Sequence, residues 1–365
     1  MSVVPQDGTV GRTRNASNLQ NPSDDCCFVN ARDYCNDAGG YRDQEQQIYG
    51  GGQNSQSAEM RVAVVLGYFN GKSFIRDQLQ SILGQTHSAV HVYLCDDNSE
   101  PSFSLDGLDL DQDAFSKISV CVRPSNVGCT NNFLKGLGNV SDDFEFFAFS
   151  DQDDIWDRDK LEKAIAALTK IGSNEPALYC ARTKIVDSKC EETLGCSPLF
   201  NKPPAFANAL VQNIAGGNTM VFNKAAKDLI LEATEDVTVV SHDWWCYQIV
   251  TGVGGRVIYD PRPCLKYRQH ARNLVGSNDN WRARLLRIRG LLRGDYRKWN
   301  DINLAALWTH EHSLTFNNRR ALCDFTQARQ SSLLKRLLLF RRTGIYRQTL
   351  LGNLGLLLAV FLNRV

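Results

Sequence analysis

The residues of this chain best suited to do chemistry form one short run, Ser150-Asp151-Gln152-Asp153-Asp154-Ile155-Trp156. The run follows residues 144–149, whose apolar and aromatic character predicts a buried strand, so the carboxylates fall where the backbone leaves the sheet. Asp151 and Asp153, one residue apart, suit a hard cation such as Mg²⁺ or Mn²⁺ that shares its remaining positions with phosphate oxygens. The pattern therefore predicts a metal site that binds a nucleotide diphosphate.

The acidic run has a simpler interpretation, in which it caps a helix predicted over residues 157–170. Asp157 or Asp159 could do that without help from Asp151 and Asp153. The same Asp-Gln-Asp tripeptide recurs at residues 111–113, where no apolar strand precedes it, and there it predicts a solvated loop. The tripeptide alone is therefore weak evidence, and its position after a strand carries the inference.

Composition places the chain among ordinary globular proteins, with 365 residues, 43% of them hydrophobic and 22% charged. The net charge of +1 hides an asymmetry. Residues 281–365 hold 16 Lys and Arg against 4 Asp and Glu, whereas the rest of the chain holds 25 against 36. The acidic part suits metal binding, and the basic part suits an anionic surface.

Several classes of protein are disfavoured. The twelve cysteines show no CxxC spacing, so neither a zinc ribbon nor a redox motif is indicated, and free thiols in a reducing cytoplasm are expected. Residues 1–59 are polar, without periodicity or the apolar stretch of a secretory signal, and predict a disordered extension. No segment has the roughly 20 apolar residues needed to cross a bilayer.

Strands alternate with helices from residue 60 onward, which predicts βαβ units and a largely parallel sheet. The predicted strands cover residues 61–66, 90–95, 118–122, 144–149, 177–186, 219–222 and 256–259. In such sheets ligands bind beyond the carboxyl ends of the strands. The polar residues at those ends are Tyr68, Asn70, Asp96, Asp97, Asn126, Asp151 and Asp153. Their shared location predicts a single nucleotide site.

These motifs, in this order, resemble the inverting family-2 glycosyltransferases of GT-A fold, and among them the branch of bacterial polysaccharide rhamnosyltransferases. The resemblance spans residues 60–277. It rests on Tyr68-Phe69-Asn70, Ser81-Ile82-Leu83 with Gln85-Thr86, Asp96-Asp97-Asn98-Ser99, Asn126 and Gly128 with Asn132-Phe133, the acidic run, Gly217-Asn218-Thr219, His242-Asp243-Trp244-Trp245 and Tyr267-Arg268-Gln269-His270. It implies an α/β fold, with a catalytic domain over residues 60–280 and a basic helical region over residues 281–365.

The resemblance also implies roles for single residues. Asp243 corresponds to the catalytic base. Asp151 and Asp153 occupy the metal-binding positions, with His270 as a further residue at the metal or the diphosphate. The implied donor-binding residues are Tyr68, Asn70, Asp97, Asn126 and Gln152. The implied acceptor-side residues are Asn218, Trp244 and Trp245.

Structural alternatives stand beside four of these roles. Asp243 could be the N-cap of the helix that follows it, and His270 a structural histidine. Asp97 could close an Asx-turn with Ser99. The two tryptophans could belong to the core, although an exposed indole can also stack on a sugar.

The basic C-terminal region interleaves Arg with Leu over residues 281–293 and again over residues 332–342. Such segments predict helices that lie in a membrane interface, with arginines directed to anionic headgroups. The alternative is a helical subdomain packed on the catalytic core with an arginine-rich solvent face. Nucleic-acid binding is disfavoured because no reader motif is present.

Together these features predict a metal-dependent glycosyltransferase at the inner face of the plasma membrane, in the cytoplasm. It would move one sugar from a nucleoside-diphosphate donor to a glycan or lipid-linked acceptor during surface-polysaccharide synthesis. Rhamnose from its thymidine diphosphate is favoured by resemblance alone. Two alternatives are a sugar nucleotidyltransferase, although the loop after the first strand lacks a basic triphosphate-binding motif, and a non-catalytic adaptor on the membrane.

Overall fold

The computed structural model describes residues 28–30, 60–270, 289–290 and 293–365. The predicted polar extension lies outside the described residues except for residues 28–30, and so does most of the basic segment 281–293. Within the described ranges, no helix is long and apolar enough to cross a membrane.

A ten-stranded sheet forms the centre of the molecule. Its strands are β1 (Val29–Asn30), β2 (Val62–Tyr68), β3 (Val90–Asp96), β4 (Ile118–Val122), β5 (Phe146–Ser150), β6 (Ile155–Trp156), β7 (Ala177–Val186), β8 (Thr193–Cys196), β9 (Val221–Asn223) and β10 (Arg256–Arg268). They lie in the order β1-β4-β3-β2-β5-β9-β7-β10-β6, with β8 beside β7. Strands β4, β3, β2 and β5 are mutually parallel, as are β7 and β10, and β9 joins the two groups by antiparallel pairing.

Helices cover both faces of the sheet. Their bounds are α1 (Ile75–Leu83), α2 (Gln112–Ser116), α3 (Cys129–Gly138), α4 (Lys160–Leu168), α5 (Phe206–Ala209), α6 (Lys224–Glu232), α7 (His242–Gly252), α8 (Asp295–Thr309), α9 (Phe316–Gln330), α10 (Leu333–Thr343) and α11 (Leu350–Phe361). The predicted α/β fold, with a mostly parallel central sheet and a helical C-terminal region, is confirmed.

The core has two parts, one on each face of the sheet. Because side chains alternate along a strand, Val62, Val64 and Leu66 of β2 enter one part while Ala63 and Val65 enter the other. The second part also contains apolar side chains of the C-terminal helices, which are Leu304, Leu307, Leu322, Phe325, Leu356, Ala359 and Val360. The C-terminal helices therefore pack on the sheet domain, as the alternative interpretation of this region expected.

Three local predictions differ from the structure. Residues 111–113 begin the short helix α2, where Asp111 is the N-cap and accepts a hydrogen bond from the Ala114 amide at 2.7 Å. β10 extends from Arg256 to Arg268, well beyond the strand predicted over residues 256–259, because register shifts beside Pro263 accommodate the proline. Eight described cysteines are free thiols, as expected, but Cys121 is disulfide-bonded.

Candidate active site

Three carboxylates from two parts of the chain lie close enough to repel one another. Asp151 and Asp153 follow the end of β5, and Asp243 lies in the first turn of α7. Burial raises the pKa of Asp151 to about 7, and the negative charges of Asp153 and Asp243 add to the rise. The structure therefore brings the acidic turn and the predicted base near each other at the carboxyl ends of the strands.

Asp153 is held by residues at the end of β10. His270 Nε2 lies 2.7 Å from Asp153 Oδ2, and the His270 ring stacks on Phe74 with centroids 4.5 Å apart. The Arg268 guanidinium donates to the Asp153 carbonyl oxygen at 3.1 Å. His270 was expected at the metal itself, but here its Nε2 is engaged by Asp153. A histidine bonded to Asp153 in this way would orient a metal ligand.

A buried polar cluster lies beneath the acidic turn. Asp154 Oδ2 accepts from the Asn218 side-chain amide at 2.6 Å, and Lys160 Nζ donates to the Asn218 carbonyl oxygen at 2.7 Å. The same ammonium lies 3.2 Å from the centroid of the Trp156 ring. Burial lowers the pKa of Lys160 to about 7 and raises that of Asp154 well above its ordinary value. Asn218 therefore supports the acidic turn from inside, which differs from the predicted acceptor-side position.

Asp243 is positioned by a residue that the sequence did not reveal. Its Oδ2 accepts from the Asn213 side-chain amide at 2.8 Å, and its Oδ1 accepts from the Trp244 amide at 2.7 Å. The N-cap of α7 is Ser241, so the alternative role of Asp243 as N-cap is wrong. No motif marks Asn213 in the sequence, because it comes from the segment after α5.

His242 lies buried beside the predicted base. Its ring stacks on Phe133 at 4.2 Å and meets the edge of Phe149 at 5.0 Å between centroids. Neither ring nitrogen has a hydrogen-bond partner among the described residues. A Cβ atom at Gly217 would lie 2.5 Å from His242 Nε2. A glycine at this position therefore leaves room for the His242 ring.

Asp97 holds the loop that precedes α3. Its two carboxylate oxygens accept from the Val127 amide at 2.8 Å and from the Gly128 amide at 2.9 Å. Asn126 closes the same loop by donating its side-chain amide to the Asp97 carbonyl oxygen at 3.1 Å. The alternative Asx-turn between Asp97 and Ser99 is wrong, because Ser99 bonds Asp96. The amide and the hydroxyl of Ser99 both donate to Asp96 Oδ1.

The loop after β2 is clamped by Gln152. The Gln152 side chain accepts from the Phe69 amide at 2.8 Å and donates to the Phe69 carbonyl oxygen at 3.1 Å. A Cβ atom at Gly71 would lie 2.1 Å from Gln152 Oε1, so only glycine leaves room for this clamp. The prediction gave Gln152 a direct donor contact, but both ends of its amide are used within the protein.

Tyr68 and Asn70 are also engaged internally. The Tyr68 ring is buried against Phe103 with centroids 5.0 Å apart, and Asn70 Oδ1 accepts from the Glu100 amide at 3.1 Å. The exposed aromatic side chain of this loop is Phe69, which the prediction did not include. Phe69 is therefore the side chain of the motif that is open to a ligand.

Neither tryptophan of α7 is exposed. Trp245 is fully buried, and Trp244 is 9% exposed with its indole nitrogen donating to the Ala209 carbonyl oxygen at 2.7 Å. The alternative, that the pair belongs to the core, fits the structure, and the expected exposed indole is not found. Their neighbour Asp243 therefore sits on a helix that the core holds firmly.

Cys129 is a pocket residue that the sequence did not single out. It is the first residue of α3. The residue is exposed, and desolvation by the atoms around its thiol raises the pKa of that thiol to about 12, with the charges of Asp151, Asp243 and Asp97 adding to the rise. The charges of the acidic turn, the predicted base and the predicted donor residue thus all act on the same thiol. This indicates that all three border the same space.

The donor atoms of the pocket fit a hard divalent cation. No group of three or more His, Cys, Asp or Glu side chains within the described ranges is arranged to hold a metal on its own. Mg²⁺ commonly uses one or two carboxylates together with water and substrate phosphates, and Asp151 and Asp153 can supply those carboxylates. A cation would also relieve the repulsion that raises the pKa of Asp151.

Comparison with known proteins agrees with this geometry. Residues 63–226 match the family described as Glycosyl transferase family 2. The chain is 28% identical over 252 residues to the dTDP-rhamnosyl transferase RfbG of Shigella flexneri, covering 63% of this chain and 80% of that protein. It is 31% identical over 115 residues to the succinoglycan biosynthesis protein ExoW of Rhizobium meliloti, covering 31% of this chain and 36% of that protein.

Among solved structures, the chain is similar to residues 1–349 of TarS from S. aureus, in complex with UDP-GlcNAc. The two share 13% sequence identity, with a TM-score of 0.43 over 79% of this chain and 93% of the other.

Proposed function

We propose that the protein, whose residues 63–226 match the family described as Glycosyl transferase family 2, transfers one sugar from a nucleoside-diphosphate donor to a hydroxyl group of a glycan acceptor, with inversion. The observation that carries the proposal is that Asp243 lies close enough to Asp151 for the two charges to interact. This arrangement can place a base beside a diphosphate-binding site. The process served is the synthesis of a surface polysaccharide.

Asp243 acts as the general base. The acceptor hydroxyl must lose its proton as it attacks the sugar, and a carboxylate within hydrogen-bond reach of that hydroxyl accepts it. Asn213 fixes one carboxylate oxygen at 2.8 Å and the Trp244 amide fixes the other at 2.7 Å. The acceptor therefore meets a carboxylate whose orientation is already set, which lowers the entropic cost of the reaction. A single base without a second nucleophile favours inversion.

Asp151 and Asp153 would hold Mg²⁺ or Mn²⁺, with Asp153 oriented by His270. The cation supplies charge stabilisation for the departing nucleoside diphosphate. The chain itself keeps the acidic turn in place through Asp154, Asn218 and Lys160, whose buried contacts lie beneath it.

The donor is bound between the loops after β2 and β3. Asp97 holds the loop of residues 126–128, and Gln152 holds the loop that carries Phe69. We assign rhamnose, carried on thymidine diphosphate, as the favoured donor because the chain resembles a dTDP-rhamnosyl transferase over 80% of that protein. The acceptor is a glycan on a lipid carrier at the inner face of the plasma membrane.

The proposal is tested by incubating the purified full-length protein with a panel of sugar nucleotides, Mn²⁺ or Mg²⁺, and acceptor glycans, and measuring the glycosylated product. We expect transfer from one donor, dependent on the cation and lost in Asp153→Asn. Asp113→Asn is the matched control, because Asp113 belongs to the second Asp-Gln-Asp copy, is exposed, and lies in α2.

Three results would contradict the proposal. Full transfer by Asp153→Asn would remove the acidic turn from the mechanism. Formation of a sugar nucleotide from a sugar phosphate and a nucleoside triphosphate, without transfer to a glycan, would identify a nucleotidyltransferase. Binding to membranes without turnover of any donor would identify an adaptor.

A further inference from the structure

The last helix of the chain exposes an apolar face to solvent. The face, called the leucine face below, consists of Leu350, Leu351, Leu354, Leu357, Leu358 and Phe361, which are between 47% and 77% exposed. Their spacing along α11 places them on one side of the helix. The neighbouring helix α10 adds Leu334 at 78% and Leu338 at 66% exposure, one helical turn apart. Exposed apolar surface on this scale marks an interaction site.

The opposite sides of both helices are packed, so the exposure does not come from loose helices. Leu356, Ala359 and Val360 of α11 are buried in the core. The buried Arg336 of α10 donates to the Val360 carbonyl oxygen at 3.0 Å and to the Ser331 carbonyl oxygen at 2.8 Å. Arg336 therefore fastens α10 to the end of α11, and the leucine face is a fixed surface.

Acidic residues are absent from α10 and α11, because no Asp or Glu occurs between residues 325 and 365. Arg342 is paired with Asp324 of α9 at 3.5 Å. Lys335, Arg341 and Arg364 are exposed, and Lys335 and Arg341 lie on the side of α10 that carries Leu334 and Leu338. A second copy of the chain docked face to face would bring these cations against each other without a compensating anion. An anionic surface would neutralise them.

We propose that the leucine face and the exposed cations of α10 dock on an anionic lipid bilayer, with α11 lying in the plane of the interface. α11 has 12 residues and so a length of about 18 Å, well short of the roughly 30 Å of a bilayer's hydrocarbon core. Leucines on one side and cations beside them suit a helix that enters the boundary between headgroups and acyl chains.

Hydrogen bonds join the segment before α11 to the acceptor side of the pocket. The assignment of that side to the acceptor rests on the proposed function. Gln348 lies two residues before α11. Its side-chain oxygen accepts from the Lys202 backbone amide at 2.9 Å, and its backbone amide donates to Gln212 Oε1 at 2.9 Å. The next residue, Asn213, donates to Asp243. The bilayer would therefore lie beside the segment that orients the base, where a lipid-linked acceptor must enter.

The test is co-sedimentation of the full-length protein with vesicles, in the absence of any sugar donor. One set is phosphatidylcholine alone, and the other is an equal mixture of phosphatidylcholine and phosphatidylglycerol. We expect binding to the anionic vesicles, reduced at least about tenfold in the double variant Leu354→Glu, Leu358→Glu. The charge variant Arg341→Gln should lose about fivefold. Phe316→Glu is the matched control, because Phe316 is 79% exposed but lies on α9.

Folding of each variant is checked by its thermal unfolding, and transfer to a water-soluble acceptor is measured in parallel. Loss of vesicle binding with retained soluble transfer supports the docking surface independently of the catalytic proposal. Unchanged vesicle binding in the double leucine variant would overturn it. The proposal would also be overturned if the wild type did not bind vesicles and formed a dimer that dissociated in the double leucine variant. The occupant of the leucine face would then be a second copy of the chain.

Discussion

Asp243 of α7 lies close enough to Asp151, at the end of β5, for its charge to raise the pKa of the Asp151 carboxyl group. The two residues lie far apart in the sequence, and no local pattern links them. Their approach is produced by the fold, because β5 lies in the middle of the sheet and α7 packs against the face that carries Phe149. The catalytic predictions below depend on this approach.

Replacing Asp243 by Asn should lower kcat roughly 10²- to 10⁴-fold, the range expected for removal of a general base. The melting temperature should change little, since an amide oxygen can still accept from Asn213 or from the Trp244 amide. Donor affinity, measured by titration calorimetry, should also stay near the wild-type value. If donor affinity collapses together with kcat, Asp243 is a donor-binding residue and another group is the base.

Asn213→Ala tests whether the base must be oriented. The variant leaves Asp243 in place but removes the 2.8 Å hydrogen bond to Oδ2. We expect kcat to fall between roughly tenfold and 100-fold, with KM for the donor unchanged, because misplacement of a catalytic group costs that much. Asn213→Asp, which replaces the donor by a second carboxylate, should be at least as inactive. Normal turnover in both variants would show that Asp243 needs no such partner.

His270→Gln should weaken the response to the metal ion. His270 Nε2 fixes Asp153 at 2.7 Å, and loss of a residue that orients a ligand lowers metal affinity roughly 10- to 100-fold. The measurement is the Mn²⁺ concentration that gives half-maximal transfer, followed at saturating donor. Excess Mn²⁺ should restore most of the activity. An unchanged Mn²⁺ requirement would leave His270 a structural residue that stacks on Phe74.

Gly71→Ala should disturb the pocket through Gln152. The added Cβ would lie 2.1 Å from Gln152 Oε1, so the amide must leave the Phe69 backbone. We expect KM for the donor to rise and the loop of Phe69 to become sensitive to proteolysis. The double variant Gly71→Ala, Gln152→Ala should be no worse than Gln152→Ala alone, because the clash is gone. Gly172→Ala is the control, since a Cβ there meets nothing within 4 Å.

The sequence predicted the strands well because their apolar runs are long and buried, as in residues 61–66 and 118–122. It also located the ends of those strands, and with them the acidic turn and Asp97. The errors share one cause, which is that the partner of a polar side chain is set by tertiary contact. Asn218 and Gln152 lie in motifs that suggest ligand binding, yet their amides bond Asp154 and Phe69. Asn213 and Lys160 carry no local signal, and Phe69 lies in a recognised motif but was given no role.

The stability of the protein should fall as the pH is lowered through the range between 6.5 and about 4, because of His91. Burial and the nearby Arg61 lower the pKa of His91 from 6.5 to about 4, and its Nε2 lies 2.8 Å from Ser119 Oγ. The unfolded chain therefore binds a proton in this range that the folded chain does not, so the free energy of unfolding decreases as pH falls. The loss is at most about 1.4 kcal/mol per pH unit, and less because the ring is partly exposed.

Urea unfolding at pH 7, 5.5 and 4.5 measures this slope, which His91→Gln should flatten. His312→Gln, at an exposed histidine of the C-terminal region, should keep the wild-type slope. An equal slope in His91→Gln and the wild type would assign the acid sensitivity to other groups.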